Sequence, residues 1–279
     1  MIWRFRGHEF DLSARSLIVG ILNATPDSFS DGGAFLDPES ACAHGMSLLA
    51  DGAQILDIGG ESTRPGAIPV TAEEEMSRIV PVIRKLRGKT SVPISIDTSK
   101  AVVAEAALRA GADIINDVTA LRGDPGMQSL AKKSEAGLIL MHMQGNPETM
   151  QQNPSYPNDD VVESVAKFLS ARRDAAIGFG VDSAAIILDP GLGFGKTVEH
   201  NLALIRNLPR LIDIGSPMMI GHSRKSFLGS FDKKVGGKRI WPGVAVTCLA
   251  WQLGARLFRV HDPLPHLEAL RMTEAVLRT

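Results

Sequence analysis

Short apolar runs recur along this 279-residue sequence, and almost every one ends at a polar residue that core packing alone does not require. Asn23, Asp57, Asp97, Asn116, His142, Asp189 and the pair Arg259 and His261 follow one another in that order. Such a series of polar strand ends suggests a single site, because a parallel barrel would bring them together on one face. Each also has a plainer reading, since a strand-end Asp or Asn often caps the next helix or binds loop amides. That reading is strongest for Asp57, shielded by its neighbours, and for Asp117, which should point opposite to Asn116 along a strand.

Three loops suit an anion. Residues 59–66 (GGESTRPG) combine flexible glycines, the hydroxyls of Ser62 and Thr63, and the Arg64 guanidinium, which can grip phosphate oxygens in a bidentate fashion. Residues 223–226 (SRKS) carry Ser223 and Lys225, although a solvated basic turn would look the same. Arg259 and His261, two apart on a strand, point to the same side.

Other chemistries are poorly supported. The stretch 191–197 (GLGFGKT) has Pro190 where a phosphate-binding loop needs glycine, so its glycines are expected to let the backbone approach a flat ligand, with Phe194 as an apolar contact. Neither a helical pair of histidines nor a calcium-loop spacing occurs. A Mg2+ ion would use pyrophosphate oxygens, water and one or two protein oxygens, with Asn23, Asp27 and Asp31 nearest. No Gly-x-Ser-x-Gly elbow or cysteine nucleophile motif points to covalent catalysis.

The elements that must position these groups are legible as alternation. Apolar runs at Leu17 to Leu22, Gln54 to Ile58, Pro93 to Ile96, Asp113 to Ile115, Leu138 to Met141, Ala185 to Leu188, Pro217 to Ile220 and Ala255 to Val260 read as strands covered on both faces. Helical stretches lie between them, including Ala72 to Arg87, Lys100 to Ala110, Val161 to Gly178 and Val244 to Leu253. Thr71 followed by Glu74 reads as a capping box, and Gly111 and Gly254 as helix stops. Parallel βα repeats at this length predict a (β/α)₈ TIM barrel, one domain over residues 1–279, with a short hairpin at Trp3 to Asp11 closing its bottom. Such a barrel gathers its strand ends on one face, and the loops near strands seven and eight commonly bind phosphate. Residues 144–160 and 229–243 read as exposed loops.

A formal net charge of −1 gives no general attraction to nucleic acid or to an anionic membrane. Charges interrupt the N-terminal apolar residues before an export signal could form, and no apolar run is long enough to span a bilayer. With only Cys42 and Cys248, a reducing, cytoplasmic location is expected.

At residues 20–33 (GILNATPDSFSDGG), 57–66, 95–100 (SIDTSK), 116–117, 141–145 (MHMQG), 189–196 (DPGLGFGK), 223–226 and 259–262 (RVHD) the chain resembles the dihydropteroate synthases. The resemblance implies a Mg2+-dependent enzyme, commonly a homodimer, that joins 6-hydroxymethyl-7,8-dihydropterin pyrophosphate to p-aminobenzoate. It implies catalytic roles for Asp97, Lys225, Arg259 and His261. Asp97, Asn116, Asp189 and Lys225 would hold the pterin ring, with Met141, Val118 and Phe194 on its faces. Asn23 would ligate Mg2+, while Thr63, Arg64, Arg259 and His261 would serve the pyrophosphate; Ser223, Phe29 and Pro65 would enclose p-aminobenzoate. Loops 24–35 and 61–69 would close over the amine. The chain departs from the family's usual residues at Ala24 (usually Val), at His222 (usually small and apolar) and at Val244 (usually a hydroxyl residue). A methyltetrahydrofolate methyltransferase domain shares the barrel but needs no pyrophosphate site, and an inactive pterin-binding paralogue is the remaining alternative.

Overall fold

A computed structural model of the chain describes residues 1–25, 37–62, 66–231 and 239–277. Strands β1 (Ile2–Phe5) and β2 (His8–Asp11) form an antiparallel hairpin. Then follow β3 (Leu17–Asn23), α1 (Pro38–Ala50), β4 (Ile55–Gly59), α2 (Ala72–Arg87), β5 (Ile94–Asp97), α3 (Ala101–Ala110), β6 (Ile114–Asp117), α4 (Gly126–Ser134), β7 (Gly137–Met141), α5 (Val161–Phe179), β8 (Ile186–Asp189), α6 (Val198–Arg206), α7 (Leu208–Ile212), β9 (Met219–Ile220), α8 (Ile240–Gln252), β10 (Leu257–Val260) and α9 (Pro263–Leu277). The strands from β3 onward pair in the order β8-β7-β6-β5-β4-β3-β10-β9, all parallel. A parallel bridge between Leu188 and Met218 joins the two ends of that order, so the sheet is a nearly closed barrel.

Side chains alternate across each strand, and the two apolar clusters record which residues point which way. Ile18, Leu22, Leu56, Ile58, Ile96, Ile115, Leu138, Leu140, Leu188 and Phe258 pack outward with the helices. Leu17, Val19, Ile55, Ile114, Ile139, Ile187, Met219 and Leu257 pack inward at the strand starts, where Trp3, Phe5, Phe10 and Leu12 of the hairpin segment join them. Trp3 is fully buried and its Nε1 donates to the Ala185 carbonyl at 3.0 Å, so the hairpin plugs the barrel bottom as the sequence suggested. Period two then carries Asn23, Asp57, Asp97, Asn116, Met141, Asp189 and Arg259 to the inner face at and above this floor.

Element boundaries differ instructively from the apolar runs. Several strands extend to take in their polar ends, because ladder hydrogen bonds do not depend on side-chain polarity: Asn23, Asp97, Asn116 and Asp189 are all within strands. The seventh barrel strand shrinks to Met219–Ile220. Helix α8 begins at Ile240, inside the stretch expected to be loop, since Pro242 is tolerated in a first turn. Thr71 Oγ1 accepts the Glu74 amide at 3.1 Å, which is one half of the expected capping box, and Gly111 stops α3 at φ 118°.

Candidate active site

A cavity of about 490 Å3 opens at the C-terminal mouth of the barrel. Asn23, Asp97, Phe194, Ser223, Lys225, Arg259 and His261 line it together. Its centre is a charge cluster. The Arg259 side chain crosses the barrel from β10, placing Nε 2.5 Å from Asp57 Oδ2 and Nη2 2.7 Å from Asp97 Oδ2. Asp57 is fully buried and also accepts from Asn116 Nδ2 at 3.2 Å. The guanidinium therefore links two carboxylates and, through one of them, an amide. Burial opposes the Arg259 charge, but Asp57 and Asp97 outweigh it and hold its pKa above the usual value.

Asp97 has the opposite problem. Burial, countered by Arg259 but reinforced by Asp57, pushes its carboxyl up to about 7. Its Oδ1 is buried without a hydrogen-bond partner. Asn116, in register with Asp97, and Asp189 are buried, 3% exposed each, and Asp189 Oδ1 accepts the Gly191 amide at 2.7 Å. Burial also raises the Asp189 pKa, with Lys225 opposing.

The wall facing these acids comes from the loops after β8 and β9. Lys225 donates to the Leu192 carbonyl and lies 4.5 Å from the centre of the Phe194 ring. Burial pushes its ammonium down to about 8, against the pull of Asp189. Phe194 packs on an apolar group of Val118, Met141, Met143 and Met150. At the rim, Ser223 Oγ accepts the His261 amide at 3.1 Å and lies 3.0 Å from His261 Nδ1, which fixes the two residues together. The turn is tight: Arg224 sits at φ 60° and is held by a bidentate pair with Asp262, at 2.9 and 3.1 Å.

Several expectations are corrected. Asp57 is no isolated structural acid but the partner of Arg259 and Asn116, which the strand pattern alone did not reveal. His142 belongs to the ring of strand ends in sequence, yet it follows the inward Met141 and so faces outward, with Nδ1 2.9 Å from Lys196 Nζ. Gly191 and Gly195 serve a close approach to protein rather than to a ligand. At φ 64° and 65°, added Cβ atoms would come within 1.9 Å of the His142 carbonyl and 2.7 Å of the Gln144 carbonyl. Gly193 does line the cavity. Asp117 points away from Asn116 as expected, accepting the amides of Thr119 and Leu121 at 2.8 Å. Thr25, Glu61, Met150 and Gln151 also line the cavity and were not singled out; Gln151 donates to the Gly193 carbonyl, but it lies in a stretch whose composition only signals loop. Asp27, Phe29, Asp31, Thr63, Arg64 and Pro65 lie outside the described residues.

Among the described residues, no three His, Cys, Asp or Glu side chains gather where they could hold a metal ion. Asn23, at the cavity wall, offers one amide oxygen. That donor set fits a Mg2+ ion that brings its other oxygens as water and substrate phosphate.

Residues 19–261 match the family described as pterin binding enzyme. The chain is 46% identical to the dihydropteroate synthase of Neisseria meningitidis serogroup B over 281 residues, covering 99% of this chain and 97% of the relative. It superposes with a TM-score of 0.91 on the Xanthomonas albilineans dihydropteroate synthase with 4-aminobenzoic acid, at 42% identity over 100% of this chain and 98% of the other. The same enzyme in complex with 7,8-dihydropteroate gives a TM-score of 0.89 at 41% identity, with both chains fully covered.

Proposed function

The chain belongs to the pterin-binding enzyme family, within its dihydropteroate synthases, and on that premise we propose that it condenses 6-hydroxymethyl-7,8-dihydropterin pyrophosphate with p-aminobenzoate to give 7,8-dihydropteroate and pyrophosphate. The observation that carries this reading is the cavity itself. Asp97, Phe194, Ser223, Lys225, Arg259 and His261 line one cavity, and this combination of an acid, an aromatic face and cationic groups suits a flat, hydrogen-bonding ring joined to an anionic tail.

The pterin ring takes Met141, Val118 and Phe194 on its faces, with Asp97, Asn116, Asp189 and Lys225 around its edge. Asp97 Oδ1, buried and unpaired, supplies an acceptor for a ring donor. In the reaction the bond from the pterin methylene carbon to the pyrophosphate oxygen breaks, and that oxygen keeps the electron pair. The amine nitrogen of p-aminobenzoate then bonds to the carbon and loses a proton. The ring delocalises positive charge as the leaving group departs, and the Asp97 carboxylate stabilises it. Arg259 and His261 meet the departing anion, joined by Thr63 and Arg64. Asn23 would hold Mg2+ through its amide oxygen; when bound, the ion neutralises charge on the leaving pyrophosphate. Ser223 borders the p-aminobenzoate site.

The reaction needs no membrane or nucleic acid. Among the described residues no helix is long and apolar enough to cross a bilayer, and the free cysteines Cys42 and Cys248 suit the cytoplasm. A second copy of the chain forms a homodimer with it; exposed Trp241 and Leu249 of α8 and Met272 and Val276 of α9 supply apolar surface for such a contact.

The test is direct. Purified protein with Mg2+, the dihydropterin pyrophosphate and p-aminobenzoate should release pyrophosphate and form dihydropteroate in equal amounts. Absence of both products would reject the reading.

A further inference from the structure

Behind the Ser223 rim, three buried polar side chains form a chain of their own. His222 Nε2 lies 3.0 Å from Thr247 Oγ1 on α8, and the same oxygen lies 2.7 Å from His266 Nδ1 on α9. All three residues are at most 2% exposed. Gly243 leaves the space for both rings, since a Cβ there would stand 3.3 Å from His266 and 3.6 Å from His222. Both imidazoles are neutral, because burial lowers His222 to about 3 and His266 to about 4. Thr247 has one hydroxyl hydrogen, so it donates to at most one ring and its oxygen accepts from the other. The rings are thereby fixed in orientation as a linked pair.

This chain is a poor way merely to fill space. Its hydrogen bonds run through a fully buried seam between the turn and two helices, where apolar side chains of similar volume would need none. Its position suggests what it does instead. The His222 carbonyl accepts the Lys225 amide at 3.2 Å, closing the turn whose central residue, Arg224, is held at the costly φ of 60°. Within this turn Ser223 and Lys225 face the cavity, while His222 faces α8 and α9.

We propose that the His222–Thr247–His266 chain is a positioning device that anchors the Ser223–Lys225 turn to α8 and α9 and so sets the affinity of the p-aminobenzoate end of the site. The proposal rests on the synthase reading for its substrate. Lys225 is also anchored at Leu192 and Phe194, and Ser223 at His261, so the chain acts on the turn through its first residue, and Ser223, next to His222, is the cavity residue that it displaces first.

Thr247→Val removes the hydroxyl at nearly constant volume, Thr247→Ser keeps it, and the triple variant His222→Leu, Thr247→Val, His266→Leu replaces the whole chain by apolar packing. In Thr247→Val, which breaks both contacts of the hydroxyl, the KM for p-aminobenzoate should rise about tenfold, with little change in kcat. Thr247→Ser should restore it. The triple variant should keep the raised KM even where its thermal stability equals that of the parent. A KM that returns with stability in the triple variant, or that never changes in Thr247→Val, would show the chain to be packing and overturn the proposal. Hydrogen exchange of the Lys225 amide gives a second readout, independent of activity: faster exchange in Thr247→Val, restored by Ser, is expected, and unchanged exchange overturns the anchor. If the parent protein makes no dihydropteroate, the synthase reading fails, and the exchange result still decides the anchor.

Discussion

The Nη2 of Arg259 lies 2.7 Å from Oδ2 of Asp97, so the cation expected at the leaving group and the anion expected at the ring are hydrogen-bonded to each other. A clean division between a pyrophosphate site and a pterin site, which strand order suggests, is therefore bridged by one side chain. Arg259 tunes Asp97, and any ligand that draws the guanidinium away leaves the carboxylate more basic.

Replacing Arg259 by Met should accordingly cost more than turnover. It leaves Asp57, fully buried, and Asp97 without their counter-charge, a loss of about 3 to 5 kcal/mol of stability at pH 8 for an uncompensated buried pair. The loss should shrink at pH 5, where Asp97, raised to about 7, is already protonated. Synthesis should fall sharply and affinity for a phosphate-free pterin should fall as well. Urea unfolding at the two pH values, paired with pterin titration, checks this; unchanged pterin affinity would restore the separate sites.

The rate should depend on pH through the same acids and bases. Asp97 gains a proton below about 7 and loses the charge that stabilises the cation, while Lys225 loses its proton above about 8. The kcat/KM profile of a chemistry-limited reaction should be a narrow bell. Asp97→Asn should lower its height and abolish the acid limb, and Lys225→Arg should remove the alkaline limb because a guanidinium stays charged. A flat parental profile from about pH 6 to 9 would refute both assignments.

Three buried histidines should make the fold acid-labile. Burial lowers His142 to about 2, His222 to about 3 and His266 to about 4. The native state then binds fewer protons than the unfolded chain, so their contribution is constant above about pH 6.5 and is lost as the pH falls below it. The raised Asp97, Asp117 and Asp189 act with the opposite sign at overlapping pH, which makes a difference measurement the informative one. The stability of His266→Leu should fall less steeply than that of the parent between about pH 6 and 4.5, by about 1.4 kcal/mol per pH unit. Parallel slopes would mean that His266 titrates normally.

At the far end of the barrel, Trp3→Ala should remove about 3 to 5 kcal/mol of stability by emptying a fully buried site. KM for either substrate should stay at the parental value, since no part of the hairpin lines the cavity. A changed KM in folded protein would tie the floor to the mouth.

Much of this architecture is legible in the sequence because period two is strict. Ile55 and Asp57, Ile139 and Met141, Leu257 and Arg259 share faces whatever the loops do, so an inward apolar floor with an inward polar layer above it follows from spacing. Partnerships across the barrel do not follow. Arg259 and Asp57 are 202 residues apart, and nothing local marks their ion pair. The Gly191–Gly195 loop shows the same limit: composition indicates a close backbone approach, but whether to a ligand or to the His142 carbonyl depends on how two loops stack. His222 stands out as unusual in sequence, while its partners Thr247 and His266 look like ordinary helix residues.

A hoop is only as tight as its weakest stave, and here that stave is β9. Its neighbour β8 meets this stave through the Leu188–Met218 bridge and the Leu188 amide to the Pro217 carbonyl, and only Met219 and Ile220 are in register with β10. Fluctuations that part a barrel concentrate where backbone bonds are fewest. The stretch that carries Ser223 and Lys225 springs directly from this joint, so any parting of the hoop would reach these cavity-lining side chains first, while the Asp57 and Asp97 side is braced by longer ladders on β4 and β5.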